Sequence, residues 1–492
     1  MYKYTEKQMI LPHEFFLPFG GKLNPNNRWC KLASLIPWAA VEEKYAKSFK
    51  SIKVGQIACS VRIALGSLII QNRKELSDRQ TVDEITENPY LQYFIGLPRF
   101  VEEPPFDPSL MVHFRKRLDK DIISQINEMI ANSARKPEDE DSQDNDKNDG
   151  GATGQGGSAS GRQDEPKESD NHGKLILDAT CVPADIHFPI DIWLLNTARE
   201  ALEEIIDVLH RPHVGTCMKP RTYRDCARRD YLNIDKKKHR TYKKIRKSIR
   251  QQLRYISRDL AIIASLAEKS PLTLLDRRQY RNLLVCQEIY RQQLSMYQNK
   301  GHKMQDRIVS MHMPFVRPIV RGKANADVEF GAKLAISIVD GFSYMEHLSF
   351  DEYNEGVTLQ GAAENYRRRF GYYPEAVIAD KVYRNRDNLQ YCKEKHIRLS
   401  GPPLGRPAKD PLVLKAQQKQ ERLDTGIRNA VEGKFGEGKR TYGLSRIMTR
   451  LMETSETVIS MQLLVMNLEH RLRLLLYYFF KEHFWPLKLA WW

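Results

Sequence analysis

Apolar positions along the chain follow two different patterns. Up to about residue 118 they recur every three or four residues in short stretches, as helices require. Gln56–Asn72 is predicted to be a helix with Ile57, Val61, Leu65, Leu68 and Ile69 on one face. Ser77-x-x-Gln80 is a capping-box pattern opening a second helix to about Glu87. Pro89–Ile95 is a third. Asp107 and Pro108 supply an N-cap and a first-turn proline for a fourth, along which Leu110, Phe114 and Leu118 recur. Residues 1–55 show no clear period, and Leu17-Pro18-Phe19-Gly20-Gly21 predicts an extended arm.

From Lys174 onward, short aliphatic runs appear. Leu175–Thr180 is a strand. Glu329–Val339 and Tyr344–Phe350 are paired strands across an Asp340-Gly341 turn. A helix at Thr358–Phe370, a strand ending at Asp380, a helix from about Asn385 and a strand at Ile397–Leu399 follow. The rigid loop segments Gly401-Pro402-Pro403 and Gly405-Arg406-Pro407 lead to helices holding Glu432 and then Glu456–Leu476. Between the first strand and the second lies a long helical stretch. Ile245, Ile249, Leu253, Ile256, Leu260 and Ile263 step by three or four, and Asp276–Tyr297 repeats the pattern beyond Pro271. An antiparallel helical hairpin is expected there. The fold class is α/β, with a helical insertion at 192–310 after the first strand and a small all-α domain at 1–133 in front.

Residues 134–172 separate the two regions. Lys136–Asp170 carries 11 acids against four bases and a Gly150–Gly161 cluster, so it has little to bury and is expected to be a disordered linker. The whole chain of 492 residues nevertheless has a net charge of +16, which favours a polyanionic partner, nucleic acid before anionic membrane. The densest basic tract is Lys219–Arg254, with 15 Lys and Arg against three Asp, and Tyr223, Tyr231 and Tyr242 interleaved. Lys236, Lys237, Lys238, Lys243 and Lys244 are its candidate phosphate contacts; a solvated helix face is the plainer reading. Arg115, Lys116 and Arg117 give the fourth N-terminal helix a basic face compatible with a DNA reader.

Seven scattered cysteines without a C-x-x-C pair predict reduced thiols in the cytoplasm. Met1–Phe16 does not read as a signal peptide. The longest uncharged run near the C-terminus, Thr457–Leu468, is well short of the roughly 20 residues of a spanning helix. No phosphate loop, dinucleotide fingerprint, nucleophile elbow or H-E-x-x-H is present. No small-molecule substrate is expected.

Three acidic residues carry the candidate chemistry. Asp178 follows Leu175-Ile176-Leu177, Asp380 follows Ala376-Val377-Ile378-Ala379, and Glu432 lies on a helix with Arg428 four residues before it and Lys439 seven after. Strand ends are where α/β sheets place their sites, and convergent carboxylates hold hard divalent cations. Asp340 also ends an aliphatic run, but Gly341 behind it favours the hairpin turn; Asp185 and Asp191 sit near Pro183 and Pro189 and are expected in loops.

These phrases resemble a DDE-type transposase of a bacterial insertion sequence, in the branch with an RNase H-like catalytic domain. Arg428, Glu432 and Lys439 match the Arg-Glu-Lys part of that branch's Tyr-Arg-Glu-Lys signature, with Thr425 in the Tyr position. Asp380-Lys381-Val382-Tyr383 is similar to Asp-Lys-Gly-Tyr, with Val382 for Gly. The resemblance covers roughly residues 50–120 and 174–470. It implies an RNase H-like mixed sheet within 173–480, metal ligation by Asp178, Asp380 and Glu432, and two Mg²⁺ ions with Mn²⁺ as a substitute. It also implies that Arg428 and Lys439 contact DNA phosphate, that transposon ends and target DNA are the partners, and that a homodimer forms on DNA. A transposase-derived DNA-binding protein without activity, a metal-dependent nuclease on the same fold and a membrane-surface protein remain as alternatives.

Overall fold

The computed structural model describes residues 2–4, 10–49, 57–134, 171–186, 190–323, 326–402 and 410–489. Lys136–Asp170 of the acidic segment and the Gly405-Arg406-Pro407 loop lie outside them.

Among the described residues, seven α-helices precede the first strand: α1 (Arg28–Leu35), α2 (Trp38–Lys47), α3 (Val61–Lys74), α4 (Asp78–Glu87), α5 (Pro89–Phe94), α6 (Leu110–Arg117) and α7 (Lys120–Asn132). Local chemistry sets several of their starts. The Ser60 hydroxyl caps α3, and Ser77 and Gln80 form the reciprocal capping box of α4. Asn88 caps α5, whose first residue is Pro89. The fourth predicted helix begins late. Asp107 Oδ1 accepts from Ser109 N at 2.8 Å and closes a turn, so regular helix starts only at Leu110.

Three helices are additions to the sequence reading. Helices α1 and α2 fall in the stretch expected to be irregular, separated by Pro37; Trp29 and Trp38 both pack on Phe94, at 5.1 and 6.0 Å between rings. Helix α7 is capped by Asp119 and buries Ile123, Ile126 and Ile130. The expected basic face of the fourth helix is mostly internal. Arg115 is buried and makes a forked pair with Asp78 at 2.9 and 2.7 Å, and Arg117 lies over the Phe49 ring at 4.3 Å. Only Lys116 of the three is exposed.

The sheet is mixed. Strand β1 (Lys174–Pro183) is central. Beside it run β3 (Ala326–Val339), antiparallel, and β5 (Ala376–Ala379), parallel; β6 (Arg398–Leu399) extends the β5 edge in parallel. The other side of β3 is shared. Its first half pairs with β2 (Arg317–Lys323) and its second half with β4 (Phe342–Ser349), both antiparallel. Asp340 and Gly341, with φ of 51° and 82°, make the tight turn between β3 and β4. Helices α12 (Thr358–Phe370) and α13 (Arg386–Glu394) flank β5 in sequence, and α14 (Pro411–Thr441) and α15 (Met452–Leu489) complete the chain.

The N-terminal helices share a hydrophobic core with the sheet region. Helix α15 joins them, packing on α1, α3, α6, α7 and β4. At that junction the buried Asn467 donates to Ser343 O (2.7 Å) and Asn127 Oδ1 (2.8 Å), and its own Oδ1 accepts from Ser343 N (2.8 Å). Asn127 donates to Ser343 O in turn, at 2.9 Å. This closed polar group ties α7, β4 and α15 together inside an apolar core, where each bond left unmade would cost about 1–3 kcal/mol.

Among the described residues, four α-helices stand between β1 and β2: α8 (Ile190–His210), α9 (Arg224–Asp235), α10 (Tyr242–Ala267) and α11 (Arg277–Gln298). Helix α8 buries Leu194, Leu195, Leu202, Ile205 and Ile206 and packs against α10 and α11. Asp276 and Gln279 form a capping box at the start of α11. Inside this group Asp259 is fully buried, and neither of its oxygens has a hydrogen-bond partner among the described residues. Burial, with Glu203 nearby, pushes its carboxyl from 3.8 up to about 7, against the opposing pull of Arg199, Arg258 and Arg224. The folded state therefore binds a proton more tightly than the unfolded state. The stability this proton confers is complete below pH 3.8 and is lost as pH rises through about 7. Asp259→Asn should raise the melting temperature at pH 8 by several degrees and change it little at pH 4. An equal shift at both values in a melting series would show that Asp259 does not titrate in this range.

Candidate active site

The β1–β5 register sets the geometry of the site. Leu177 pairs with Ala379, so Asp178 and Asp380, each one residue further on, are neighbours where β5 ends. Asp178 is half-buried within β1, opposite Ile336 of β3. Desolvation pushes its carboxyl up to about 6, and the Glu355 and Asp380 charges act the same way; the Ala179 N–H, donated to Asp178 Oδ1 at 2.8 Å, and the Arg428 charge oppose them. Asp380 is more open. It caps the single 3-10 turn Lys381–Tyr383, accepting from Lys381 N at 2.7 Å.

Helix α14 brings the remaining groups. The Arg428 guanidinium donates to Asp380 Oδ1 at 3.1 Å and, one helical turn along, to Glu432 Oε1 at 3.3 Å. One fork thus joins the strand-end carboxylate to the helix carboxylate, and its charge acts on Asp178 as well. Asp178, Asp380, Arg428 and Glu432 are thereby brought to one place. Lys439 lies two helical turns beyond Glu432 on nearly the same face. Thr425 donates its hydroxyl back to Glu421 O within the helix, at 2.8 Å.

The rival carboxylates are engaged elsewhere. Asp340 is in the hairpin turn. Asp185 pairs with Arg446. Asp191, expected in a loop, is instead in the first turn of α8 and pairs with Arg307 at 2.6 Å. Sequence reasoning missed Glu355 and its partner Lys333, 3.1 Å apart. Glu355 follows Asp351-Glu352-Tyr353-Asn354, a stretch with no hydrophobic period, so nothing in the chain marks it.

Among the described residues, no three His, Cys, Asp or Glu side chains are arranged as an ion-holding group. Arg428 stands between Asp380 and Glu432 and pairs with both. The donor set still suits a hard divalent cation. It is all oxygen, with two carboxylates on adjacent strands, one of them desolvated, and a third carried in by α14.

In the insertion, Lys236, Lys237 and Lys238 are exposed at the end of α9, and Lys243 and Lys244 are exposed in the first turn of α10. Other bases of the tract serve the fold. Arg224 pairs with Asp207, Arg240 donates to Asp235 O and Lys237 O, and Arg246 lies over Tyr297.

Comparison with known proteins finds matches on two stretches of the chain. A model described as "Transposase DDE domain" matches residues 377–469, which include Asp380, Arg428, Glu432 and Lys439 but not Asp178. A second, "Transposase domain (DUF772)", matches residues 18–117, from just before α1 to the end of α6. A curated relative, "Uncharacterized protein ORF8 in nfe locus" of Rhizobium meliloti, is 35% identical over 104 residues, 21% of this chain and 49% of that protein. The chain thus spans about half the length of the curated relative it matches. No solved structure matches it significantly. No described helix is long and apolar enough to cross a membrane. The DDE domain family generally uses a divalent metal, and a transposase family implies DNA binding. Transposase models match on both sides of the acidic segment, and these matches support a DDE-type transposase of an insertion element.

Proposed function

We propose that this transposase cuts the ends of its element and joins them to target DNA by phosphoryl transfer at Asp178, Asp380 and Glu432. The observation that carries the reading is the pairing of Leu177 with Ala379, which sets the two aspartates side by side, together with the Arg428 fork that reaches Glu432. The strand order β4-β3-β1-β5-β6, antiparallel on one side of β1 and parallel on the other, supports an RNase H-like reading of the sheet within 173–480. Two Mg²⁺ ions, with Mn²⁺ as a substitute, would be held by the three carboxylates and would supply Lewis acidity and charge neutralisation at the attacking and leaving oxygens.

The chain's own groups do the rest. Asp178 must give up its proton to act as a ligand, and the nearby Arg428 charge favours that loss. Arg428 has the planar fork that suits a phosphate as well as it suits its present carboxylates, and Lys439 offers a point charge further along α14. Residues 1–133 would hold the element's terminal sequence, and the exposed lysines of the insertion would track the phosphate backbone. A homodimer on DNA, working in the cytoplasm, completes the proposal.

The test is a joining assay. The protein, Mg²⁺, a linear DNA bearing the element's terminal sequence and a circular target are mixed. Joined products are expected. Cleavage without joining would make the protein a nuclease, and tight binding without either would make it a DNA-binding relative that has lost activity.

A further inference from the structure

Beyond β4 the chain passes through Asp351–Asn354 into one 3-10 turn, Glu355–Val357, before α12 begins. The Asn354 side chain accepts from Gly356 N at 3.0 Å and fixes that turn. The turn is seated directly on the one that follows Asp380. A Cβ on Gly356 would come within 2.7 Å of Val382 O, so the approach requires glycine. The buried Asn388 clamps the two turns from behind, donating to Gly356 O at 2.7 Å and to Tyr383 O at 2.9 Å. The backbone therefore holds Glu355 in place beside the Asp380 turn, whatever its side chain does.

That side chain carries a charge into a partly buried place. Glu355 is 23% exposed and Lys333, its partner at 3.1 Å, is 12% exposed. Lys333 is itself pinned: it donates to Tyr353 O at 2.8 Å and lies 4.9 Å from the centre of the Tyr353 ring. Of the charged groups acting on Asp178, Glu355 is the strongest, ahead of Arg428 and Asp380. Placing another anion beside two carboxylates is unfavourable unless a cation offsets it. Lys333 offsets Glu355, and Arg428 is shared between Asp380 and Glu432, so two cations serve the four carboxylates of Asp178, Glu355, Asp380 and Glu432.

We propose that Glu355 is a fourth acidic group of the site, a positioning residue that orders the divalent ion at Asp178 through the ion's bound water, with Lys333 as its counter-charge. The proposal rests on the reading of Asp178, Asp380 and Glu432 as ion ligands. Groups just outside the ligand set commonly change metal affinity by about 10–100-fold.

The test uses the full-length protein without DNA and measures Mn²⁺ binding by calorimetry, alongside the Mg²⁺ concentration that half-saturates cleavage. Glu355→Gln should weaken Mn²⁺ binding by roughly tenfold and raise the half-saturating Mg²⁺ in step. Glu355→Asp, which keeps the charge, should recover most of the loss. Lys333→Met should tighten ion binding, because it removes a competing cation. Wild-type Mn²⁺ binding by a folded Glu355→Gln protein would overturn the proposal, as would a Glu355→Asp protein no better than Glu355→Gln. Asp178→Asn separates the two layers of the argument. If it loses the ion while Glu355→Gln does not, only the role of Glu355 falls; if both bind as wild type, the reading of the site falls with it.

Discussion

Asp178→Asn, Asp380→Asn and Glu432→Gln should each lower Mg²⁺-dependent cleavage at the element's ends by roughly a thousandfold or more, while affinity for the uncut DNA changes little. The size follows from the chemistry. Charge stabilisation of a phosphoryl transition state by bound ions is worth several kcal/mol, and each 1.4 kcal/mol is about tenfold in rate. The amides keep the shape of the side chains, and the amide replacing Asp178 would still offer an oxygen to the Ala179 N–H. The substitutions therefore remove charge with little disturbance of packing. The three should differ in stability. Asp178 is half-buried with its carboxyl pushed up to about 6, so the neutral amide should be tolerated best there or should even stabilise the fold. At Asp380 and Glu432 the change removes the anionic partners of Arg428, but these pairs are well exposed and contribute little. Gel assays of cleavage, run beside melting curves, check both parts. Retained cleavage in any one variant removes that residue from the site.

Much of this site is legible in the chain because its parts are local. The aliphatic run before Asp380 predicts a strand end, and Ser77-x-x-Gln80 predicts a capped helix start, without reference to distant residues; the same reading fails at Asp178, which lies mid-strand because β1 goes on to Pro183 in pairing with β3. Other features depend on partners far away in sequence. Strand β2 escapes notice because Arg317-Pro318-Ile319-Val320-Arg321 has a proline and no clear alternation; a proline is admissible there because β2 pairs with β3 alone. Helices α1 and α2 are held by Trp29 and Trp38 packing on Phe94, an association that no periodicity announces. Arg115 illustrates the opposite error. It looks like part of a basic surface until Asp78, 37 residues earlier, is found to hold it inside. Glu355 is hidden for the same reason: a close approach between two turns places it, and only Gly356 hints at that.

Neutralising Lys236, Lys237 and Lys238 together, as Lys→Gln, should weaken binding to every duplex sequence about equally. It should also lower the slope of log K against log salt by up to roughly 2.7, about 0.9 for each phosphate that a lysine no longer neutralises. At 0.1 M salt the same relation gives a weakening that approaches about 500-fold if all three lysines touch phosphate. The structure gives reason to expect a large share of that. The three are exposed at the α9–α10 connection, while Arg240 beside them turns back to Asp235 O and Lys237 O and holds the connection in shape. Lys243 and Lys244 follow in the first turn of α10, the positive end of the helix dipole, where lysine is unfavourable in isolation. Thr241 makes no side-chain capping bond there. A segment that carries three lysines in the connection and two more in the first turn of α10, where no such bond is made, gains from an anion placed against it. Filter-binding or fluorescence titrations from 50 to about 200 mM salt measure the slope directly. An unchanged slope would show that these lysines face only solvent. A weakening confined to the element's own ends would make the segment a base reader, a role to which a flexible ammonium is poorly suited.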